Sequence, residues 1–487
     1  MKRSIISIVF ISILTSVACR RAKFSTATEK VVLNIIKVNK VTDNIFQDTV
    51  ADQAKRDILS QLLSVATKKE LMTLTTYSNG VVRCYAFWAL LQKQPIDLLP
   101  ILIKHVSDTE RIQTQFGDLG GREKVGDFMI NIATPEDVDV TSGKLDPAGL
   151  AILDSILIYT PNELYAKDKA IEMAQPTEAL YPRIRELAVK EGNQSAIVTL
   201  AKYRKPQDVS LILHNRDNSS NKDEGYFYTY RAIAQFPHPD FMPLLRKNLL
   251  QTLGDSHYDN EWSALYGAIA TYKSPEALEL LEVPFTKVKY PEIRTYHIGF
   301  VFAAVERIDD PIYDDLKWEL WADESRISPD VFSYLCSKNP KKALILMEEC
   351  LLKSDDPFDA GGDDDFDNRN ARKSLTEIML DLVLQKDSSN GIKIIRSKLA
   401  TADVHLYPII ARKAMEIKDK SFIGPFLKRL GSDDNPYVYL AAAKGLISFK
   451  SNELNRKILL VSSKNENLRK GWGGKELTQL LKENNIY

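Results

Sequence analysis

The chain lacks both a charge imbalance and a cysteine framework. Among its 487 residues, Lys plus Arg and Asp plus Glu are equal at 65 each, and only four residues are cysteine. A neutral chain has no electrostatic footprint for nucleic acid or an anionic membrane surface, so we expect neither as a partner. Cys84, Cys336 and Cys350 have no CxxC spacing, which argues against a zinc site or a disulfide framework. We expect them to be buried small apolar side chains, the alternative being a Cys336–Cys350 bridge in an oxidising periplasm.

Glycine and proline are also scarce, at 21 residues each. This composition argues against a turn-rich all-β fold and favours long helices, because an interior glycine costs a helix about 1 kcal/mol relative to alanine. The hydrophobic share of 44% is that of an ordinary globular protein. Because 487 residues exceed what one core supports, we expect several domains or an elongated repeat array.

Motifs that carry catalysis or bind metal are missing. The six histidines include no pair at three- or four-residue spacing, so no helical metal pair is predicted. The sequence has no G-x-S-x-G, no Walker loop and no GxGxxG before a helix. We therefore predict no catalytic residue, no metal and no cofactor, and an enzyme is the least favoured class of function.

A dense acidic cluster lies in a polar insertion at residues 354–370. Its aspartates Asp363, Asp365 and Asp367 have the alternate spacing of a calcium loop. However, Asn368 and Ser374 stand where that loop places its glycine and its bidentate glutamate. We interpret the cluster as a solvated acidic loop, with calcium binding as the alternative.

The N-terminus has the three parts of a secretory signal peptide. Lys2 and Arg3 precede an apolar run over residues 5–14, and small residues follow up to Ala18. Ser16-Val17-Ala18 fits ordinary signal peptidase, whereas Val17-Ala18-Cys19 resembles the lipobox of bacterial lipoproteins. That resemblance implies lipid attachment at Cys19 and a membrane-anchored place in the bacterial cell envelope, periplasmic or outer-membrane. Both cleavage sites stay open, with residues 1–18 as signal peptide and 19–27 as a linker.

A turn followed by a leucine-rich helix recurs along the chain. Successive copies at Pro206, Pro239, Pro275, Pro311 and Pro340 are separated by 33, 36, 36 and 29 residues. This spacing corresponds to one helix pair, which cannot bury its apolar face alone and requires stacked neighbours. The rhythm therefore predicts a helical repeat array over residues 28–353 and 371–487.

Apolar and small residues recur at helical spacing behind a capping residue in Asp433–Leu446 and, as a second copy, in Ser78–Leu90. A third and weaker copy is Pro291–Val305. These segments resemble the first helix of HEAT repeats, with Arg83 and Arg294 at the position of that family's arginine and Tyr439 in its place in the last copy. The resemblance implies an all-α fold, a right-handed α-α superhelix of stacked helix pairs like HEAT and ARM solenoids.

One region breaks this rhythm, between residues 107 and 144. Arg111–Phe116 reads as a short strand, and the pair Gly120-Gly121 as a turn. After the break, Asp146-Pro147 predicts the start of a helix that runs to Tyr159.

Aromatic residues provide the strongest functional signal. We interpret most of them as packing between helices, and some as contacts on an exposed repeat surface, where Tyr and Trp bind at low entropic cost. Tyr228, Trp262 and Tyr266 are the candidate interaction residues. The sequence thus predicts a non-enzymatic binding or scaffold protein whose partner is another protein, the alternative being a glycan- or nutrient-capturing lipoprotein. A membrane contact is expected only through the N-terminal lipid.

Overall fold

A computed structural model describes residues 24–42, 58–93, 95–117, 119–134, 144–217, 225–353, 373–469 and 471–487. The predicted signal peptide, Cys19 and the acidic cluster at residues 363–367 lie outside these ranges. α-Helices dominate the described residues, which confirms the all-α prediction. The chain divides into two compact units, Met1–Phe236 and Pro237–Tyr487.

The first unit combines helices with one small sheet. Its helices are α1 (Thr26–Val38), α2 (Ile58–Val65), α3 (Lys68–Leu74), α4 (Gly80–Gln92), α5 (Leu99–His105), α6 (Val125–Ala133), α7 (Pro147–Tyr159), α8 (Tyr165–Met173), α9 (Tyr181–Lys190), α10 (Gln194–Ala201), α11 (Val209–His214) and α12 (Phe227–Gln235). Its strands are β1 (Val41–Thr42), β2 (Arg111–Phe116) and β3 (Leu119–Lys124).

The sheet occupies the region where the repeat rhythm breaks. Strand β1 pairs with β2 in parallel, and β2 pairs with β3 in antiparallel register. The predicted strand Arg111–Phe116 is therefore confirmed. The predicted turn at Gly120-Gly121 is wrong, because both glycines lie inside β3 opposite Gln115 and Thr114. The residues of β3 that face solvent carry little packing, so glycine is tolerated there.

The second unit continues with helices throughout its described residues. They are α13 (Met242–Thr252), α14 (Glu261–Ala270), α15 (Pro275–Lys287), α16 (Pro291–Glu306), α17 (Asp314–Glu324), α18 (Pro329–Lys338), α19 (Pro340–Lys353), α20 (Leu375–Lys386), α21 (Ser388–Thr401), α22 (Tyr407–Ile417), α23 (Ile423–Ser432), α24 (Pro436–Ser448), α25 (Asn452–Lys464) and α26 (Gly471–Glu483).

Helices begin where capping side chains precede proline or small residues. Asp146 accepts a hydrogen bond from the Gly149 backbone N–H at 2.7 Å, and α7 spans Pro147–Tyr159 as predicted. Asn79 and Asn435 cap α4 and α24 in the same way, so two of the segments that resemble HEAT helices start as expected. The recurring turn is a short 3₁₀ turn at Pro206–Asp208, Pro239–Phe241 and Pro311–Tyr313.

Packing within each unit is local in sequence. Most helices contact the next helix and the next but one, as α14 does with α15 and α16. In the second unit, the buried core is continuous from Trp318 in α17 to Leu477 in α26. Helices α19 and α20, which flank the predicted acidic insertion, therefore belong to one core. This sequential stacking is what a repeat array requires.

The two predicted HEAT arginines reach carboxylates at the C-terminal end of the next helix or just beyond it. Arg83 of α4 contacts Asp108 at 3.0 Å and Glu110 at 2.6 Å. Arg294 of α16 forms a fork with Glu324, at 2.9 and 2.5 Å. Tyr439 is buried instead, and its hydroxyl lies 2.1 Å from where a Cβ on Gly473 would be, so only glycine lets α26 approach so closely. The relation to HEAT repeats and the superhelix stay predictions.

The three cysteines of the described chain are free. Cys84 and Cys350 are buried, as predicted, and Cys336 is half-buried. Burial raises the pKa of the Cys336 thiol to about 11, and the predicted alternative of a Cys336–Cys350 bridge is not formed. These thiols therefore act as small apolar groups.

Candidate binding surfaces

Helix α14 and the loop before it face helix α16 through paired aromatic side chains, which we call the aromatic ladder. Its three levels are Tyr258 with Tyr296, Trp262 with His297, and Tyr266 with Phe300, at ring-centroid distances of 4.3, 4.3 and 6.5 Å. The rings of each level are within 18° of parallel. Trp262 and Tyr266 are four residues apart in α14, which places them on one helical face, and Tyr258 lies in the loop that precedes this helix.

Two of the three predicted interaction residues lie inside this ladder rather than on the surface. Trp262 is 4% exposed and Tyr266 is fully buried. The prediction that they form a contact surface is therefore wrong. The physical reason is His297 of α16, which stacks on Trp262 and forms a hydrogen bond between its Nδ1 and the Tyr266 hydroxyl at 2.7 Å. Both aromatic residues pack between helices.

His297 is the polar centre of the ladder. Its side chain has no exposed surface, and burial lowers its pKa to about 4, with the nearby Thr252 backbone opposing the shift in part. Burial likewise raises the pKa of the Tyr266 hydroxyl well above its usual range. At neutral pH the pair is therefore a neutral imidazole with a neutral phenol, a geometry suited to fixing two helices.

The outer level of the ladder is open to solvent. Tyr258 is 47% exposed and Tyr296 is 44% exposed, although their rings stack at 4.3 Å with only 13° between the planes. Stacking limits the rotamers of both tyrosines before any partner arrives, so they offer rigid aromatic area.

Tyr228 belongs to the first unit and has a surface environment of its own. It is half-buried, lies edge-on to Phe227 and has the Arg231 guanidinium 5.6 Å from its ring centroid. Arg231 forms a fork with Glu172 at 3.1 and 2.7 Å, and Ser195 donates to the same carboxylate at 2.7 Å. Tyr228 thus keeps an accessible face, but it packs on a structural ion pair.

An acid–base pair that sequence reasoning missed lies at the end of α5. Nδ1 of His105 is 2.9 Å from Oδ2 of Asp108, the arrangement that orients a catalytic imidazole. Burial raises the pKa of Asp108, but hydrogen bonds from His105 and Arg83 outweigh it and hold the pKa below its usual value. Nε2 of His105 is buried, and no hydroxyl or thiol of the described chain reaches it. Because Arg83 shares the carboxylate, the pair serves to hold α4 against the segment after α5.

Among the described residues, no three His, Cys, Asp or Glu side chains gather as metal ligands would. Within the described ranges, none of the helices has the length and apolar character that a bilayer span demands.

Comparisons with protein-family models, with characterised proteins and with solved structures found no match for this chain.

Proposed function

We propose that this protein is a non-enzymatic interaction scaffold of the bacterial cell envelope, and that it binds another protein through the Tyr258–Tyr296 pair. The observation that carries the proposal is that both rings are nearly half exposed while they are held stacked against each other. Binding hot spots are enriched in such rigid aromatic side chains because little conformational entropy is lost when a partner covers them.

The Tyr258–Tyr296 pair differs from the buried levels of the ladder in being exposed to solvent. A fully buried pair would lie between α14 and α16, as Trp262 and Tyr266 do, and would stabilise only the fold. The segment from Gly254 to Asn260 is exposed throughout, so the face of Tyr258 is bordered by polar residues of a surface loop. An aromatic centre with a polar rim is the usual anatomy of a protein interface.

A co-purification experiment from intact envelopes tests this function. The double variant Tyr258→Ala/Tyr296→Ala is compared with wild type and with Tyr159→Ala, which removes a tyrosine that is 51% exposed in the first unit. We expect a partner that wild type and Tyr159→Ala retain and that the double variant loses. The double variant should remain folded, since stacking contributes about 0.5–1.5 kcal/mol beyond the buried area of the pair and both rings are nearly half exposed.

Two results would count against the proposal. The first is recovery of the same partner by the folded double variant. The second is release of the captured material by soluble polysaccharide but not by protease, which would favour the glycan-capturing alternative.

The proposed location depends on residues 1–19 alone. We propose that residues 1–18 are removed on export and that Cys19 carries the lipid that anchors the protein. Intact-mass measurement of the mature chain tests this. Acyl mass on Cys19, lost in Cys19→Ser, is expected, and an unmodified Cys19 would leave a soluble exported protein.

A further inference from the structure

Helices α6, α7 and α8 of the first unit enclose a groove that the proposed function does not use. It has a volume of about 140 Å³. Its apolar wall consists of Ile130, Leu150, Leu153, Leu157, Ala170 and Met173. A dry apolar cavity of about 150 Å³ accepts a benzene molecule, so this groove has room for one ring or a branched alkyl group.

One carboxyl group lies in this apolar wall. Asp154 of α7 is half-buried, and the described residues offer it neither a hydrogen bond nor an ion pair. Lys169 also lines the groove and attracts Asp154 only at longer range, and it has a further interaction of its own. The remaining polar groups are already used, because Asn131 donates to Glu123 at 2.5 Å and Thr134 donates to the Asn131 carbonyl at 3.0 Å.

An unpaired carboxylate in an apolar wall destabilises the fold. Burial raises the pKa of Asp154, and the charge of Lys169 opposes this only in part. A salt bridge or a hydrogen-bond donor would relieve the cost, yet the described residues around the groove supply neither. Groups with this kind of unrelieved charge are enriched at sites where a ligand completes the environment.

We propose that the groove binds a small organic amine, with an apolar group of about benzene size against Leu153, Leu157 and Met173 and its ammonium on Asp154. The volume of the groove limits the size of the ligand's apolar group, and the carboxylate of Asp154 favours a positively charged ligand. The site is independent of the Tyr258–Tyr296 surface, so either can fail without the other.

Methionine-methyl NMR on the whole chain tests this site, with benzylamine, toluene and benzoate as probes. The chain has eight methionines, and Met173, at the groove, is assigned with Met173→Leu. We expect benzylamine to shift the Met173 methyl signal saturably and to bind more tightly than toluene or benzoate. In Asp154→Asn the benzylamine affinity should fall by roughly tenfold or more, while toluene binding is unchanged.

The control is Asp97→Asn, which neutralises an exposed aspartate of the same unit and should leave all three affinities unchanged. Asp154→Asn should fold normally, since it removes a charge that burial disfavours. The proposal is overturned if benzylamine leaves the Met173 signal in place, if benzoate binds more tightly than benzylamine, or if folded Asp154→Asn binds benzylamine as wild type does.

Discussion

His297 makes the stability of the second unit depend on pH in a predictable range. Its pKa is about 4 in the folded protein against 6.5 when unperturbed. As the pH falls below 6.5, the unfolded chain takes up a proton that the folded chain refuses until about pH 4. The contribution of neutral His297 is thus complete above pH 6.5 and is lost between pH 6.5 and about 4.

The size of this contribution to the free energy of unfolding follows from the pKa shift of His297. A fall from 6.5 to about 4 corresponds to about 3 kcal/mol, with a slope of about 1.4 kcal/mol per pH unit. Solvent does not reduce this free energy by screening, because the His297 side chain has no exposed surface. This loss is a substantial part of the roughly 5–15 kcal/mol by which typical domains are stable, so it should be measurable.

The assay is urea unfolding followed by tryptophan fluorescence from pH 7 to pH 4, in which the contribution of Trp262 reports on the ladder. The comparison variant is Tyr266→Phe/His297→Phe, which removes the donor and acceptor together and leaves no orphaned polar atom. The control His405→Gln changes an exposed histidine. Carboxylates titrate in every variant and cancel in the differences. Parallel pH profiles for wild type and the double variant would show that His297 does not make stability depend on pH.

Three further predictions concern stability. Arg83→Met leaves Asp108 and Glu110 without their buried partner, and urea unfolding should show a loss of about 3–5 kcal/mol, less for Arg83→Lys. Gly445→Ala puts a Cβ 2.5 Å from the Phe426 ring and should lower the melting temperature, whereas Gly267→Ala meets open space in a helix and should raise it. Asp154→Asn should raise the urea midpoint at pH 7 and not at pH 3, because burial raises the pKa of Asp154 and only its charged form is penalised.

Local sequence signals predicted the helix starts well. Asp146-Pro147 and Asn435-Pro436 combine a capping side chain with a proline, and α7 and α24 begin at those prolines. These signals work because capping involves only residues within one turn. The same local reasoning failed at Gly120-Gly121, since pairing with β2 decides the conformation of those glycines.

Burial of aromatic residues could not be predicted from one helix. The spacing of Trp262 and Tyr266 shows that they share a face, but not which neighbour covers that face. The covering residue, His297, comes 31 residues after Tyr266. A matching run at Tyr296, His297 and Phe300 was the available signal for the ladder. The groove at Asp154 is lined by residues of three helices, so the hydrophobic periodicity of any one helix does not indicate it.

Site-specific photocrosslinking in cells that produce the protein tests most directly whether a partner protein binds at the Tyr258–Tyr296 pair. A photoreactive phenylalanine analogue is placed at position 258, at 296 and, as control, at 159, all of them exposed tyrosine positions. We expect one discrete protein adduct, the same from 258 and 296, and absent from 159. No adduct at 258 or 296, or an identical adduct from all three positions, would contradict it.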